Sequence, residues 1–164
     1  MTRSQVREIV MHISFAQSAN PRPVSEVLEQ LLDRDYYASL GEEDELYLAY
    51  PSAKQIPYLR QMAEGISEHL VELDFYIEKY AKGWKISRIS RVAMAIMRVS
   101  MYEVLYMQDI PGGVAINEAV EIAKHYEDTE TVSFINGILG SFIRTEMPGL
   151  EDALSIAPSA PEVE

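Results

Sequence analysis

Two groups of side chains in this sequence combine residue types that bind nucleic acid. Near the N-terminus, a helix would align four residues that recur at every fourth position, namely Arg3, Arg7, Met11 and Phe15. Cations bind phosphates and aromatic rings stack on bases, so this stripe has the chemistry that a single-stranded RNA surface requires. A second buried face of a well-covered helix would also explain Met11 and Phe15.

The second group is centred on Arg98, which interrupts an apolar segment. A charge without a partner is costly there, so Arg98 is expected either to bind phosphate or to form an internal salt bridge with Glu103 or an N-terminal acid. On a continuous helix, Arg88, Arg91 and Arg98 would share one face. Phe134 lies at the edge of an apolar stripe, where its ring belongs either to the margin of the core or to an exposed stacking surface.

Enzyme signatures are missing from the sequence. It contains no phosphate-binding P-loop, no H-E-x-x-H metal helix and no G-x-S-x-G nucleophile elbow. Isoleucine stands three positions before each histidine, so the Glu-x-x-His pairs of a di-iron bundle are absent. Glu118, Glu121 and His125 would share a helix face and could bind a metal, but a solvated polar face is the preferred interpretation. We expect no catalytic residues, cofactor, metal or small-molecule substrate.

The composition predicts one soluble domain in the cytoplasm. A chain of 164 residues that is 48% hydrophobic is long enough for one core. The absence of cysteine fits a reducing compartment. The longest central apolar run is far shorter than the ~20 residues of a membrane-spanning helix. Charged residues interrupt the N-terminal segment, so no signal peptide is expected.

Charge is distributed unevenly along the chain. A net charge of −12 opposes nucleic-acid binding, because affinity for phosphate depends on cations. However, residues 79–101 contain no acid, and local fields matter more than the total. The bases of this segment are Lys79, Lys82, Lys85, Arg88, Arg91 and Arg98. Acids form an uninterrupted run over residues 42–45 and dominate the last residues of the chain.

Apolar residues recur with helical spacing along most of the sequence, which predicts an all-α fold. We expect a break near Asp74, a C-cap at Gly83 and an N-cap at Thr129. The segment 86–107 is apolar on almost every side, as in a central helix. Residues 1–145 are expected to form the domain, and the acidic, proline-rich residues 146–164 a disordered tail. The helices are predicted over residues 2–17, 24–37, 58–80, 86–107, 115–126 and from 129 onwards.

Three ordered blocks of sequence resemble the NusB family of bacterial transcription antitermination factors. Residues 110–124 read IPGGVAINEAVEIAK and residues 134–139 read FINGIL, which are similar to family motifs. Upstream, IMRVSMYEV at 96–104 is similar to the family's leucine-arginine and tyrosine-glutamate helix. Val6-Arg7-Glu8 is similar to its alanine-arginine-glutamate start, and Phe15 stands where an aromatic residue is usual. Residues 24–80 match only in helical character.

The resemblance implies about seven helices in two small subdomains, without catalytic activity. It also implies that the chain pairs with the ribosomal protein NusE and binds boxA RNA of nascent ribosomal RNA transcripts, within an RNA polymerase antitermination complex. The RNA-binding residues implied are Arg3, Arg7, Phe15, Arg98 and Phe134. Asn117, Asn136 and Gly137 are expected to act through capping and close helix approach. The full set of structural motif residues is Tyr102, Glu103, Asn117, Glu118, Asn136 and Gly137.

The basic start of the sequence departs from the family pattern. The family is usually richer in arginine there, whereas Ser4 and Gln5 separate Arg3 from Arg7. We therefore expect weak RNA binding without NusE and steeply salt-dependent binding with it. One alternative is a protein-binding helical scaffold of the same fold with little RNA affinity. Another is a stand-alone relative of the RNA-binding module of ribosomal RNA cytosine methyltransferases, although no catalytic domain follows Arg144.

Overall fold

The computed structural model describes residues 1–107 and 109–148, and the regular secondary structure of this part is entirely helical. The all-α prediction is confirmed, and residues 1–107 and 109–148 contain eight α-helices where about seven were expected. Two 3-10 turns, Glu45–Tyr47 and Ile86–Arg88, lie between them. The helices are α1 (Arg3–Ala19), α2 (Val24–Leu32), α3 (Arg34–Leu40), α4 (Gln55–Glu68), α5 (Leu70–Tyr80), α6 (Arg91–Tyr106), α7 (Gly112–Ala123) and α8 (Thr129–Glu146).

The additional helix arises at Asp33, which divides the helix predicted over 24–37. Asp33 has extended backbone angles, and its carboxylate accepts a hydrogen bond from the backbone N–H of Tyr36. Such a side chain satisfies a free donor at a helix start, so α3 begins afresh after α2 ends. The predicted break near Asp74 was also misplaced, because the chain turns at His69 between α4 and α5.

Capping side chains explain the other differences at helix ends. The N-cap of α8 is Asp128, not Thr129, and its carboxylate accepts from the N–H of Thr131. Ser90 caps α6 by accepting a hydrogen bond from the N–H of Ala93. The central helix therefore begins at Arg91, and the prediction that it includes residues 86–90 is wrong. The C-cap of α5 is Ala81, while Gly83 follows in a turn with φ of +83°. α8 extends to Glu146, one residue into the predicted tail, whose residues 149–164 lie outside the described part.

A single cluster of buried hydrophobic side chains includes members of all eight α-helices. α6 lies at its centre, since every residue from Ala93 to Val104 is buried and the helix contacts α1, α4, α5, α7 and α8. Its contact with α4 is close at Gly65, where an added methyl group would lie only 2.0–2.4 Å from atoms of the Tyr102 ring. The prediction of a central helix within 86–107 is thus confirmed for α6. None of the helices in the described residues is long and apolar enough to cross a membrane.

Candidate nucleic-acid interface

Arg7 of α1 lies inside the bundle, where it joins α1 to two other helices. Its side chain is 1% exposed. Nε donates to both carboxylate oxygens of Glu103 on α6 at 2.9 and 2.8 Å, and Nη1 donates to Glu118 on α7 at 3.1 Å. The hydroxyl of Tyr58 on α4 donates to Glu103, and that of Ser4 donates to Glu118. These five residues, from four helices, form the buried ion cluster.

The buried ion cluster corrects the prediction that Arg7 contacts RNA directly. A guanidinium that is enclosed by the bundle and bound to two carboxylates is not presented to a phosphate. Burial, and next the charge of Glu103, raises the pKa of the Tyr58 hydroxyl, so Tyr58 keeps its proton and remains a donor. Arg7 therefore fixes the position of α1 against α6 and α7.

The predicted stripe along α1 is interrupted at its centre, because Met11 is buried like Arg7. Arg3 is half-buried at the start of α1, where its guanidinium carbon lies 4.8 Å from the ring centroid of Tyr58. It also lines an open groove of about 260 Å³ together with Lys54. Phe15, near the other end of α1, is 36% exposed. The ends of the stripe are at the surface and its middle belongs to the core.

Arg98 forms an internal salt bridge, although with a different acid from those expected. Its Nε and Nη2 donate to the two carboxylate oxygens of Asp74 on α5 at 2.7 and 2.9 Å. The Arg98 side chain is 9% exposed and that of Asp74 is 35% exposed. The expected partner Glu103 binds Arg7 instead. This pairing provides the buried cation of α6 with a counter-charge at the edge of the bundle.

A cavity of about 410 Å³ opens beside the Arg98 guanidinium. Its walls are mainly apolar side chains of α1 and α4, such as Ile13 and Ile66, and Arg22 lies at its margin. Arg88 and Arg91 are both exposed. Arg91 is the first residue of α6 and shares that helix with Arg98, whereas Arg88 lies before the cap at Ser90. The continuous helix face predicted for the three arginines is therefore not formed, because Arg88 is outside α6.

Phe134 of α8 is half-buried and packs against the indole ring of Trp84. The two ring centroids are 4.4 Å apart and the rings are tilted by 45°. Trp84 itself is 43% exposed in the segment that joins α5 to α6. The ring of Phe134 thus borders the core, as the first alternative expected, and it supports the exposed ring of Trp84. That a base stacks on Phe134 stays a prediction.

The structural motif residues divide into two groups. Tyr102, Glu103 and Glu118 are buried, the first against Gly65 and the other two in the buried ion cluster. Asn117 and Asn136 lie within α7 and α8, so neither caps a helix as expected. Gly137 is exposed, and an added methyl group would meet no heavy atom within 4 Å. Its predicted role in close helix approach is therefore wrong, and that role belongs to Gly65.

His12 of α1 is held between two tyrosine hydroxyls. Its Nδ1 lies 2.7 Å from the hydroxyl of Tyr47, and its Nε2 lies 2.8 Å from the hydroxyl of Tyr126. The hydroxyl of Tyr126 also donates to the carboxylate of Glu8. Burial lowers the pKa of His12, although the negative charges of Glu8 and Asp44 act in the opposite direction.

The acidic and histidine side chains do not form a metal centre in the part of the chain that the structure describes. No group of three His, Cys, Asp or Glu residues there is arranged to hold a metal ion. Glu118, the first of the three residues considered for this role, is bound to Arg7 and Ser4.

Sequence reasoning missed Asp74, Tyr58 and Trp84 as members of these sites. The first two are partners of arginines, Asp74 of Arg98 and Tyr58 of Arg3, through contacts across 24 and 55 positions of the chain, which periodicity along one helix does not reveal. Trp84 could have been identified from the sequence, since it is the only tryptophan and lies in the acid-free segment 79–101.

Comparison with known proteins relates the chain to one family. The model of the NusB family matches residues 4–144. The transcription antitermination protein NusB of Clostridium botulinum (strain Kyoto / Type A2) is 36% identical over 143 residues, which are 87% of this chain and 100% of the relative. The protein of the same name from Acetivibrio thermocellus is 37% identical over 147 residues, covering 90% of this chain and 92% of the relative.

Solved structures agree with the fold. The structure of T. maritima NusB superposes with a TM-score of 0.72 at 29% identity, covering 88% of this chain and 92% of that one. A structure of the antitermination factors NusB and NusE in complex with double-stranded RNA superposes with a TM-score of 0.66 at 18% identity, covering 87% of this chain and 96% of that one. At this lower identity the likeness concerns the fold alone.

Proposed function

This chain belongs to the NusB family of transcription antitermination proteins, and on that premise we propose that it binds boxA RNA together with NusE. The RNA would be part of nascent ribosomal RNA transcripts, and the bound complex would help RNA polymerase to read through terminators. The observation that carries the proposal is the family match over residues 4–144. We propose that the protein acts in the cytoplasm and without catalytic activity.

Surface aromatic residues support the RNA-binding part of the proposal. Phe15 is 36% exposed and Phe134 is half-buried, and each offers a ring on which a base can stack. Arg3 supplies a cation at the start of α1. Arg98 would bind a phosphate only if Asp74 released part of its bidentate contact. Arg7 would act indirectly, by holding α1 in place through the buried ion cluster.

An apolar surface on α5 supports pairing with a protein. Val71 is 86% exposed, Phe75 is 60% exposed and Leu70 is 40% exposed. Contiguous exposed apolar side chains often mark sites of protein interaction. NusE is the partner that we propose for this surface, and the net charge of −12 suits a basic protein.

A binding titration with labelled boxA RNA and a scrambled RNA tests this function. We expect weak binding by the chain alone, because its net charge of −12 repels phosphate, and tighter, boxA-selective binding with NusE. For single-stranded RNA, the logarithmic salt slope should be about −0.7 for each phosphate contacted. Equal affinity for boxA RNA with and without NusE would contradict the proposed cooperation. In a transcription assay, the pair should increase read-through of a terminator that follows boxA.

Substitutions assign the RNA surface within this assay. Phe15→Ala and Phe134→Ala should each weaken RNA binding by about 1–3 kcal/mol, the usual contribution of one base stacked on an aromatic ring. Tyr36→Ala is the matched control, because Tyr36 is an aromatic residue of α3 with the same 36% exposure as Phe15. Far-UV circular dichroism should remain unchanged in all three variants. Lost helicity would instead identify a core role.

The same titration separates the two alternatives. A protein-binding scaffold, which the exposed apolar surface of α5 favours, would bind NusE and show no preference for boxA. A relative of the methyltransferase module would bind ribosomal RNA without boxA selectivity. We prefer the antitermination factor because this chain covers 100% of the C. botulinum antitermination protein.

A further inference from the structure

We propose that the segment joining α5 to α6, residues 81–90, forms with the start of α6 a second contact surface for single-stranded RNA, with Trp84 as its stacking ring. The proposal rests on the RNA binding of the proposed function. It adds a surface that shares Phe134 with the residues named there and includes none of Arg3, Arg7, Phe15 or Arg98. Its residues are Lys82, Trp84, Lys85, Arg88, Arg91 and, from α8, Phe134. We call this set the tryptophan surface.

Cations are concentrated on the tryptophan surface. Four of the chain's 14 lysines and arginines lie within residues 82–91, and all four are exposed. Neither Lys79 nor Arg98, at its borders, is free in this way, since they bind Glu146 and Asp74. No acid of the described residues forms an ion pair with Lys82, Lys85, Arg88 or Arg91. A chain with net charge −12 thus carries a local site for phosphates.

The exposed indole adds the second chemical element of a single-strand site. Trp84 is 43% exposed and is supported by Phe134 at a centroid distance of 4.4 Å. The backbone N–H of Trp84 donates to the carbonyl of Ala81 at 3.1 Å, and Gly83 between them has a φ of +83°. This turn holds the ring in place at the surface. An indole offers a flat face on which any base can stack.

Acids define one border of the tryptophan surface. Glu127 accepts a hydrogen bond from the hydroxyl of Ser90, next to Arg91, and Asp128 and Glu130 lie at the start of α8. We therefore expect the phosphates to lie beside Lys82, Lys85 and Arg88 rather than beside Arg91. Flanking cations and an exposed aromatic ring favour a nucleic acid over an acidic protein, which would not need a stacking ring.

Trp84 reports on this surface directly because it is the only tryptophan of the chain. A single-stranded RNA of about 12 nucleotides, containing either boxA or a scrambled sequence, is added to the full chain with and without NusE. Stacking of a base on Trp84 should quench its emission with the same midpoint as binding of the labelled RNA. Binding measured by the label without any change in Trp84 emission would overturn the inference.

Charge variants provide an independent arm. Replacing Lys82, Lys85 and Arg88 by glutamine should weaken RNA binding at least tenfold and flatten the logarithmic salt slope by about 2, since each lost phosphate contact contributes about 0.7. The matched control replaces Arg34, Arg60 and Lys124 by glutamine, which removes the same charge from exposed positions elsewhere. Equal loss in both triple variants would overturn the inference, because charge alone would explain it.

Substitution of Trp84 separates stacking from folding. Trp84→Phe should retain most of the affinity, whereas Trp84→Ala should reduce it by between about 5-fold and 150-fold. Should Trp84→Ala unfold the chain, the glutamine variants still test the surface. Quenching by NusE alone would identify a protein contact and overturn the inference. Loss of boxA selectivity, with quenching and the altered salt slope retained, would contradict the proposed function and leave this surface supported.

Discussion

Arg7 is buried and paired with two carboxylates, so its removal would change the stability of the fold more than the chemistry of the protein surface. Glu103 and Glu118 approach it from two different helices, and Tyr58 and Ser4 bind the same carboxylates. A buried ion pair adds little net stability relative to apolar packing, but loss of one member leaves the other charged group inside. The single residue thus controls how tightly α1 is held.

We predict that Arg7→Ala lowers the free energy of unfolding by about 3–5 kcal/mol, because two buried carboxylates lose their guanidinium. Arg7→Lys should be less destabilising, since it keeps the charge but loses the forked donor geometry. Urea denaturation measures both values. Arg3→Ala is the control, because Arg3 is half-buried at the same end of α1. Unchanged stability of Arg7→Ala together with weaker RNA binding would show that Arg7 is a surface residue.

We predict that His12 makes stability fall as pH decreases. Its pKa in the fold lies below the ordinary value of 6.5, so the folded chain favours the neutral ring. The stability linked to His12 is present above about pH 6.5 and is lost as pH falls towards the folded-state pKa, because the unfolded chain takes up the proton first. His12→Asn should reduce the stability difference between about pH 7.5 and pH 5.5. Equal curves for wild type and His12→Asn would contradict the assignment.

Residue partners were the least predictable feature of the molecule. The sequence correctly marked Arg98 as a charge that needed a counter-charge or a ligand, but it did not identify Asp74. Glu103, which was expected to serve Arg98, faces α1 and binds Arg7. Which acid meets which base depends on how three helices cross, and that information is not present in the spacing along any one of them.

The contact between α4 and α6 depends on a glycine that leaves room for an aromatic ring of the other helix. This glycine is Gly65, and the ring of Tyr102 occupies the space that a side chain would need there. Tyr102 is itself confined between the rings of His69 and Tyr106, at centroid distances of 5.8 and 4.9 Å. The ring therefore has little room to move, and the separation of α4 and α6 is fixed there.

We predict that Gly65→Ala destabilises the protein by about 1–3 kcal/mol through overpacking, despite the better helix propensity of alanine. Gly137→Ala is a matched control within a helix, where an added methyl group meets nothing within 4 Å. It should increase stability by up to about 1 kcal/mol. Thermal or urea unfolding of the two variants measures this difference in sign, and stabilisation by both would show that Tyr102 moves aside.

We predict that α5 binds the protein partner through its exposed apolar side chains. Phe75→Ser and Val71→Ser should each weaken binding of NusE by about 1 kcal/mol or more, as for residues that anchor an interface. Leu48→Ser is the control, because Leu48 is an apolar residue that is 74% exposed outside α5. Calorimetric titration of NusE measures the three affinities. A loss for Leu48→Ser equal to that for Phe75→Ser would place the interface elsewhere.

Most helices could be predicted from the spacing of apolar residues, but several helix ends could not, because capping side chains determine where those helices begin. The long helical pattern over 24–37 continues through Asp33, where a local hydrogen bond to Tyr36 ends one helix and starts another. Likewise, the apolar residues Ile86 and Ile89 suggested an earlier start of α6 than the cap at Ser90 allows. A side-chain cap stabilises a new helix start by about 1 kcal/mol, and apolar periodicity carries no information about this contribution.

At the scale of the whole molecule, the buried core and the buried ion cluster connect the N-terminal and C-terminal halves. We predict one cooperative unfolding transition because α1 and α6 both contribute residues to the buried core and to the buried ion cluster. Urea unfolding followed by Trp84 emission, which reports on the contact with α8, should coincide with unfolding followed by far-UV circular dichroism. Separate midpoints would show that the halves unfold independently.

The position of the partners of Arg7 has a consequence for how the chain is made. Glu103 and Glu118 follow Arg7 by 96 and 111 residues. At synthesis rates of about 5–20 residues per second, roughly 5–20 s pass between translation of Arg7 and translation of Glu103. During that interval, the newly made first helix has none of its buried carboxylate partners. The buried ion cluster is therefore completed only after α7 has been translated, and chains that stop before α6 lack both carboxylates that hold Arg7, while chains that stop before α7 still lack Glu118.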